Sequence, residues 1–395
     1  MTTDFFIGNR RALVEQLSTL PIILTAYTSL QRTGDASFRF EQEANFWYLT
    51  GITAPDWWVI CADSKSYLVA PEKSEIHAIF DGSLSAADAQ EKSGVDEVLT
   101  FAAGKALLSE LATRYEKIAT IGVDPRKDYY DFSLNPAQGN LRKRIGKLYK
   151  ETVDCRPALS RLRAIKQPEE LDAIRKAIAL TAGAFERVKE SPLTLKHEYE
   201  VEALFDYEFR NANASHAYDP IVAMGINACT LHYGANDQPL VRGLLLLDIG
   251  ARVDGYAADI TRTYRVGQPT EREQTVHDAV VDAQEKIIAL LGPGVSVKEY
   301  SEQVDVIMKQ ALESLGLLKI EKDYRKYFPH SVSHGLGIDV HDSLGGPETF
   351  QPGMVLTVEP GIYIPEESIG VRIEDDILIT ETGYENLSGQ LSTAL

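Results

Sequence analysis

At 395 residues the chain is too long for one small module and suits two or three domains at ~150 residues each, and its 44% hydrophobic and 25% charged residues exclude extended disorder and fibrous repeats. Asp and Glu number 58 against 40 Lys and Arg, a formal charge of −18 that repels phosphate backbones and anionic lipid, so neither nucleic acid nor a membrane surface is expected as a partner. Cys61, Cys155 and Cys229 are odd in number and show no Cys-x-x-Cys spacing, which predicts no disulfide framework, no thiolate zinc site and a reducing cytoplasm. The opening MTTDFFIGNRR lacks the apolar core of an export signal, and no run reaches the ~18 apolar residues of a membrane helix.

Residues 1 to about 155 alternate short apolar runs with helical patterns. PIILTAY (21–27), WWVICAD (57–63), SYLVAP (66–71) and IGVD (121–124) read as strands, and stretches near 9–18 and 103–116 read as helices. This alternation predicts an α/β domain over residues 1–157. A basic stretch, RKRIGKLYK, reads as irregular and leads to Pro157 and the boundary. From Pro168 a long helix begins, with Leu171, Ile174, Ile178, Phe185 and Val188 on one face. Residues 158–395 then state one plan twice. Helices over 168–190 and 196–212 precede strands near 244–249 and 254–264; helices over 271–291 and 297–316 precede strands near 355–364 and 371–380. Capping boxes are expected from Thr270 to Glu273 and from Ser296 to Glu299, with a helix stop at Gly316. Two such halves can pack around a shared cleft, an α+β arrangement with pseudo-twofold symmetry.

Four local signals carry chemistry. In LLLLDIGARVDGYAADITRTY (244–264) a buried strand runs into Asp248, a turn follows near Asp254-Gly255, and a second strand bears Asp259. Side chains alternate, so Asp259, Thr261 and Thr263 share one face while Tyr256, Ala258 and Ile260 share the other. Asp248 and Asp259 can approach each other in such a hairpin, although each taken singly reads equally well as a strand end or a solvated strand residue. HSVSHGLGIDVHD (330–342) holds His330, His334 and His341, three of the chain's 8 histidines. One isolated histidine is more often a satisfied core or surface residue than a ligand; three beside Gly335 and Gly337, which permit close backbone approach, point to a site. The spacing is not His-Glu-x-x-His, which excludes the helix-borne zinc motif. VLTVEPGIYIP (355–365) puts Glu359 at the end of an apolar run, and GVRIEDDILIT (370–380) puts Glu374 inside another, with Arg372 on the same face. A glutamate in a β-branched interior needs a partner or a cation. The plainer alternative is a structural Arg372–Glu374 pair on an exposed face.

Together Asp248, Asp259, His334, Glu359 and Glu374 supply carboxylates and a single imidazole. If they converge without metal, like charges confront each other in a dry cleft and several must be protonated at neutral pH. Two divalent cations would balance them. Oxygen-rich ligation with one nitrogen suits Mn(II), with Co(II) or Zn(II) as substitutes, and paired cations that activate water and polarise a carbonyl are hydrolase chemistry.

These motifs, in this order and at these intervals, resemble the pita-bread metallopeptidases, the creatinase/aminopeptidase-like group containing methionyl aminopeptidase, prolidase and aminopeptidase P. The resemblance covers most of residues 158–390. Carried over position by position, it implies that Asp248 and Asp259 ligate a second metal, with Asp259 bridging to the first. It gives His334 and Glu359 to the first metal and makes Glu374 a bridge between both. It further implies that Glu359 manages the proton of the attacking water, and that His232 of ACTLHYGAND and His341 hydrogen-bond the substrate and the tetrahedral intermediate. Arg372 belongs beside them, and His330 lines the pocket. GDASFRFEQEANFWYLTGITAPD (34–56) resembles the N-domain signature of aminopeptidase P, which points to the proline-specific branch. The resemblance thus implies a dinuclear-metal exopeptidase that releases the N-terminal residue from peptides with proline second, working as a homodimer or larger homo-oligomer. Prolidase, restricted to Xaa-Pro dipeptides, is the neighbouring alternative. A non-catalytic peptide-binding relative is opposed by the complete ligand set.

Overall fold

Ile22–Thr25 (β1), Trp58–Ala62 (β2), Lys65–Val69 (β3), Glu97–Leu99 (β4), Lys117–Thr120 (β5) and Glu151–Asp154 (β6) join in one sheet of order β4-β3-β2-β1-β5-β6. The computed structural model in which they are seen describes residues 1–18, 20–125, 127–190 and 195–395. β2 runs antiparallel to β1 and β3, whereas the β1–β5, β3–β4 and β5–β6 pairs are parallel. Parallel neighbours need crossovers, and helices supply them. These are Glu75–Asp81 and Ala86–Ser93 between β3 and β4, Phe101–Arg114 between β4 and β5, and Pro136–Ile145 between β5 and β6. Thr3–Gln16 and Ala44–Thr50 complete the unit, whose core gathers Ile23, Trp58, Ile60, Leu108, Leu111, Ile118 and Ile145.

Two expectations shift here. The strand expected at 121–124 lies at Lys117–Thr120, because the Gly122 amide leaves the ladder for the Asp154 side chain at 2.9 Å. The stretch read as irregular begins as helix: its first four residues close the helix Pro136–Ile145, which the Asn135 side chain and Pro136 start, with Leu141 and Ile145 buried and Lys143 and Arg144 exposed.

The chain divides into Met1–Leu162 and Arg163–Leu395. In the second unit Pro168–Glu190 (α1) and Glu198–Asn211 (α2) precede a sheet of Ile221–Met224 (β7), Gly243–Ile249 (β8) and Ile260–Val266 (β9) in the order β9-β8-β7. Every residue of β8 is buried, as expected of a strand covered on both faces. The turn at Asp254-Gly255 takes positive φ at both positions, 51° and 90°, the geometry of a tight hairpin. Then Glu271–Ile288 (α3) and Val297–Ser314 (α4) precede Val355–Val358 (β10), Gly361–Ile364 (β11), Ile369–Arg372 (β12) and Asp375–Ile379 (β13). The plan is repeated, helix pair and then sheet. The Thr270 capping box is complete, whereas Ser296 only accepts from the Glu299 amide at 3.3 Å. Val276, Val280, Ile287, Met308, Leu312, Leu356 and Ile377 are among the side chains that fuse α3, α4 and β10–β13 into one core. Each such aliphatic, fully buried, contributes roughly 1.5–3 kcal/mol. Among the described residues no helix is long and apolar enough to cross a membrane.

Three strands expected to be continuous are broken, and each break falls at an acidic residue. The run 254–264 separates into Tyr256–Ala257 and β9, leaving Ala258 and Asp259 between them. The run 355–364 breaks at Glu359-Pro360, since proline has no N–H and the Glu359 amide instead donates to Val332 O at 2.9 Å. The run 371–380 breaks at Ile373-Glu374, where the Glu374 amide reaches across to Thr261 O at 3.0 Å.

Candidate active site

The Glu374-to-Thr261 bond is part of a seam where strands of the two halves meet. Thr261 Oγ1 donates to Glu374 Oε2 at 2.6 Å, and Thr263 Oγ1 donates to Arg372 O at 3.0 Å, so the face of Asp259, Thr261 and Thr263 looks onto the segment bearing Arg372 and Glu374. Behind the seam the buried Arg262 guanidinium donates to Glu374 O at 2.6 Å, Asp375 Oδ1 at 2.6 Å, Leu391 O at 2.9 Å and Ser392 O at 3.2 Å. Asp248 stands opposite Thr261 in the β8–β9 register.

The histidine-rich segment enters along β10. Leu336 N donates to Val355 O at 3.0 Å, Thr357 N to His334 O at 2.9 Å and Glu359 N to Val332 O at 2.9 Å, an antiparallel ladder that lays His334 beside Thr357. His334 Nδ1 contacts Gly335 O at 2.9 Å, and its Nε2 lies 3.4 Å from Asp259 Oδ2 and 3.5 Å from Glu359 Oε1. One ligand atom each from Asp259, His334 and Glu374 fall within 4.8 Å of one another. Tyr218 ties in Asp248: its hydroxyl lies 2.6 Å from Asp248 Oδ1 and 2.6 Å from Asp259 Oδ1. The five residues expected as ligands therefore come together from elements more than a hundred positions apart.

Arg372 is buried and gives Nη2 to Asp248 Oδ2 at 2.5 Å, Nη1 to the Tyr363 hydroxyl at 2.9 Å and Nε to Thr261 Oγ1 at 3.1 Å. The exposed Arg372–Glu374 pair is thus not what forms. His330 Nε2 meets the same Tyr363 hydroxyl at 2.9 Å, and its Nδ1 is 3.6 Å from Glu359 Oε2. The His341 ring packs edge to face on His334 at 4.3 Å between centroids. His232 lies exposed on the loop after β7.

A clasp holds the histidine segment. Asp342 Oδ2 accepts from Arg163 Nη2 at 2.9 Å and from Ile338 N at 3.1 Å, and Asp342 N donates to Gly335 O at 2.8 Å. A Cβ on Gly337 would sit 2.3 Å from Asp342 Oδ2, and one on Gly335 would sit 2.6 Å from Asp342 O. Glycine is required at both because the acidic residue folds back against them.

The electrostatics follow from crowding. Burial raises the Asp248 carboxyl, with the Arg372 charge opposing. Burial, then the charges of Asp259 and Glu359, raises Glu374 well above the usual carboxylate range. Glu359 is pushed up to about 7 by burial, against the pull of His334 and Arg372. Burial disfavours the His334 cation, yet the hydrogen bond and charge of Asp259, with Glu359, carry it to about 9. Burial and the Arg372 charge hold His330 down to about 4. Burial, then the charges of Asp248 and Asp259, keeps the proton on Tyr218. Carboxyls driven to hold protons beside one imidazole are a poor ion network alone and a good fit to divalent cations, whose charge removes the repulsion and displaces those protons.

Tyr218 and Asp376 were not singled out by sequence reasoning. Asp376 Oδ2 accepts the Asp259 amide at 3.1 Å, while its buried Oδ1 has no partner among the described residues. Burial and the Asp259 charge raise its carboxyl well above the usual range. Adjacent acids in an apolar strand were a signal for Asp376; Tyr218 offered none.

Comparison with known proteins gives the class. The description "Metallopeptidase family M24" matches residues 172–381, and "Aminopeptidase P, N-terminal domain" matches residues 6–119. The chain belongs to metallopeptidase family M24, and its chemistry is metal-dependent hydrolysis. It is 35% identical to the Xaa-Pro aminopeptidase of Escherichia coli K12, over 98% of this chain and 94% of that one. It is 32% identical to human Xaa-Pro aminopeptidase 3, over 91% of this chain and 76% of that one. Aminopeptidase P from E. coli, solved with the inhibitor Pro-Leu, superposes with a TM-score of 0.86 at 32% identity, covering 99% of this chain and 96% of that one. A zinc-substituted form of that enzyme with product gives 0.85 at 33% identity and the same coverage. The α/β N-terminal domain, the pita-bread fold and the metallopeptidase class expected from the sequence hold.

Proposed function

We propose that the chain is an Xaa-Pro aminopeptidase, removing the first residue from peptides whose second residue is proline. Two divalent cations, with Mn(II) ahead of Co(II) and Zn(II), are held by Asp248, Asp259, His334, Glu359 and Glu374. The observation that carries the reading is the seam at which Asp259, His334 and Glu374 converge, with Glu359 and Asp248 bonded to their neighbours. The E. coli relatives support the substrate class: one is named Xaa-Pro aminopeptidase, and a solved neighbour carries Pro-Leu as inhibitor.

Bound cations supply an activated water and a polarised carbonyl. The chain's own residues do the rest. Glu359 takes a proton at its carboxylate and returns it later in the cycle. His341 and His232 hydrogen-bond the carbonyl oxygen as charge develops there, and His341 with Glu359 serves the leaving nitrogen. Arg372 and Tyr218 fix the Asp248 carboxyl, which faces the free amine of the substrate. An Xaa-Pro bond is a tertiary amide without N–H, so a peptidase that recognises that donor fails; attack at the carbonyl needs no such donor. The scattered cysteines, Cys61 and Cys155 buried and all three unpaired, favour a reducing cytoplasm, and a homo-oligomer is expected from the resemblance.

Hydrolysis of an Xaa-Pro-Yaa series and of Xaa-Pro dipeptides, after chelation and readdition of Mn(II), Co(II) or Zn(II), tests the proposal. First-residue release from the longer peptides, lost on chelation and best restored by Mn(II), is expected. Strict use of dipeptides makes the chain a prolidase, and no cleavage with any metal overturns the reading.

A further inference from the structure

The loop bearing His232 is anchored by a buried carboxyl group that comes from another element, and Asn236 near its far end is held as well, by Val222 N at 3.0 Å and Glu202 Oε2 at 2.9 Å. Glu198, the first residue of α2, is 0% exposed, and its two carboxyl oxygens accept four hydrogen bonds. Oε1 takes the Met224 amide at 2.7 Å and Asn227 Nδ2 at 3.0 Å; Oε2 takes the Tyr233 hydroxyl at 2.8 Å and the Gln238 amide at 3.0 Å. These donors span the loop from its exit at β7 to its far end. One of them belongs to the residue next to His232. The loop is closed from the other side as well: Glu198 N donates to Gln238 O at 2.9 Å and Leu240 N to Lys196 O at 2.7 Å. The 3₁₀ turn Gly225–Cys229 within it packs on β12, where a Cβ on Gly370 would lie 2.6 Å from Ala228 Cβ, and β12 ends in Arg372.

We infer that Glu198 is a positioning residue for the reaction: it fixes the 225–238 loop so that the exposed His232 imidazole is presented to the cleft in one orientation. This rests on the proposed role of His232. A buried carboxyl group that satisfies four donors is costly to replace, because removing it strands each donor. The isosteric amide is a sharper probe. Glu198→Gln keeps the shape but turns an acceptor into an NH₂, which must face either the Met224 and Asn227 donors or the Tyr233 and Gln238 donors. His232 itself is then free to sample other orientations, while the carboxylates at the seam are untouched.

The test is a double-mutant cycle on the full chain, with Glu198→Gln, His232→Ala and the pair, each assayed with Mn(II) on an Xaa-Pro-Yaa peptide and analysed for bound metal. Glu198→Gln is expected to lower kcat about tenfold, with KM and metal content little changed; in the His232→Ala background the same change should cost less than about twofold. A second tenfold loss in that background, or a parallel loss of metal, overturns the inference. Ring spectra of ¹³C-labelled histidine in the metal-free protein give a readout independent of activity. The His232 resonance, identified by its disappearance in His232→Ala, should move in Glu198→Gln while the His277 resonance stays; an unmoved His232 resonance overturns the inference. If the wild type cleaves no Xaa-Pro peptide, the functional reading fails and these spectra alone decide whether Glu198 orients His232. Should Glu198→Gln fail to fold, Tyr233→Phe removes one of the four bonds and carries the same cycle, with a loss of about threefold expected to vanish beside His232→Ala.

Discussion

Asp259 has neighbours on every side: His334 Nε2 at 3.4 Å, the Tyr218 hydroxyl at 2.6 Å, and its own amide bonded to Asp376. Glu374 is reached through Thr261 and lies in the same ligand cluster. With these two residues as the proposed bridges, Asp259→Ala or Glu374→Ala should lower metal content and kcat/KM together, the latter by about a hundredfold or more. His341→Ala should leave metal content intact and reduce kcat by about 10²-fold, the scale of a lost general acid. Metal analysis beside steady-state kinetics checks this, and equal metal loss in all three variants contradicts the roles. The four expected carboxylate ligands could be named from the sequence because each lies in or beside an apolar run, where it is costly without a partner, and His334 because three histidines cluster beside Gly335 and Gly337. Tyr218 and Glu198 could not. Their partners lie up to about forty positions away, and a tyrosine or a helix-opening glutamate is ordinary in local context.

At the scale of elements, periodicity placed most helices and strands to within a few residues, because buried faces impose their spacing on the sequence. It failed at the strand breaks for different reasons: at Pro360 the missing N–H was legible and outweighed by the apolar run, whereas at Glu374 the backbone amide bonds across to Thr261, and no local pattern announces a partner from elsewhere. The same holds for residues 332–336, whose antiparallel pairing with β10 is invisible in a glycine-rich segment. Gly337 tests how firmly that segment is fixed. Gly337→Ala puts a methyl group 2.3 Å from Asp342 Oδ2, with Lys166 Cε at 3.3 Å, so relief requires the clasp to open. The variant is expected to lose about 1–3 kcal/mol of stability, the usual cost of overpacking, and to bind metal more weakly through a displaced His334. Chemical denaturation and metal titration read the two effects; unchanged values in both mean the clasp yields freely.

For the whole molecule, the division into Met1–Leu162 and Arg163–Leu395 assigns every proposed metal ligand to the second unit. A ligand that binds only the native state stabilises what it binds, by about 2.7 kcal/mol at a hundred times its dissociation constant. Calorimetry with and without Mn(II) should therefore show one transition rising with metal while that of the first unit stays in place; both rising together contradicts independent unfolding of the units. The formal charge of −18 also has its place here, since some of the excess acid lies at the seam as well as on the surface.

Arg262 links this chemistry to the tail of the chain. Two of the acceptors around its guanidinium are carbonyls of Leu391 and Ser392, and a third is the carbonyl of Glu374. Displacing Leu391 and Ser392 would strip the buried Arg262 guanidinium of two acceptors directly behind a candidate ligand. A change at these two residues, outside every motif that carries chemistry, would then register as a loosened grip on metal.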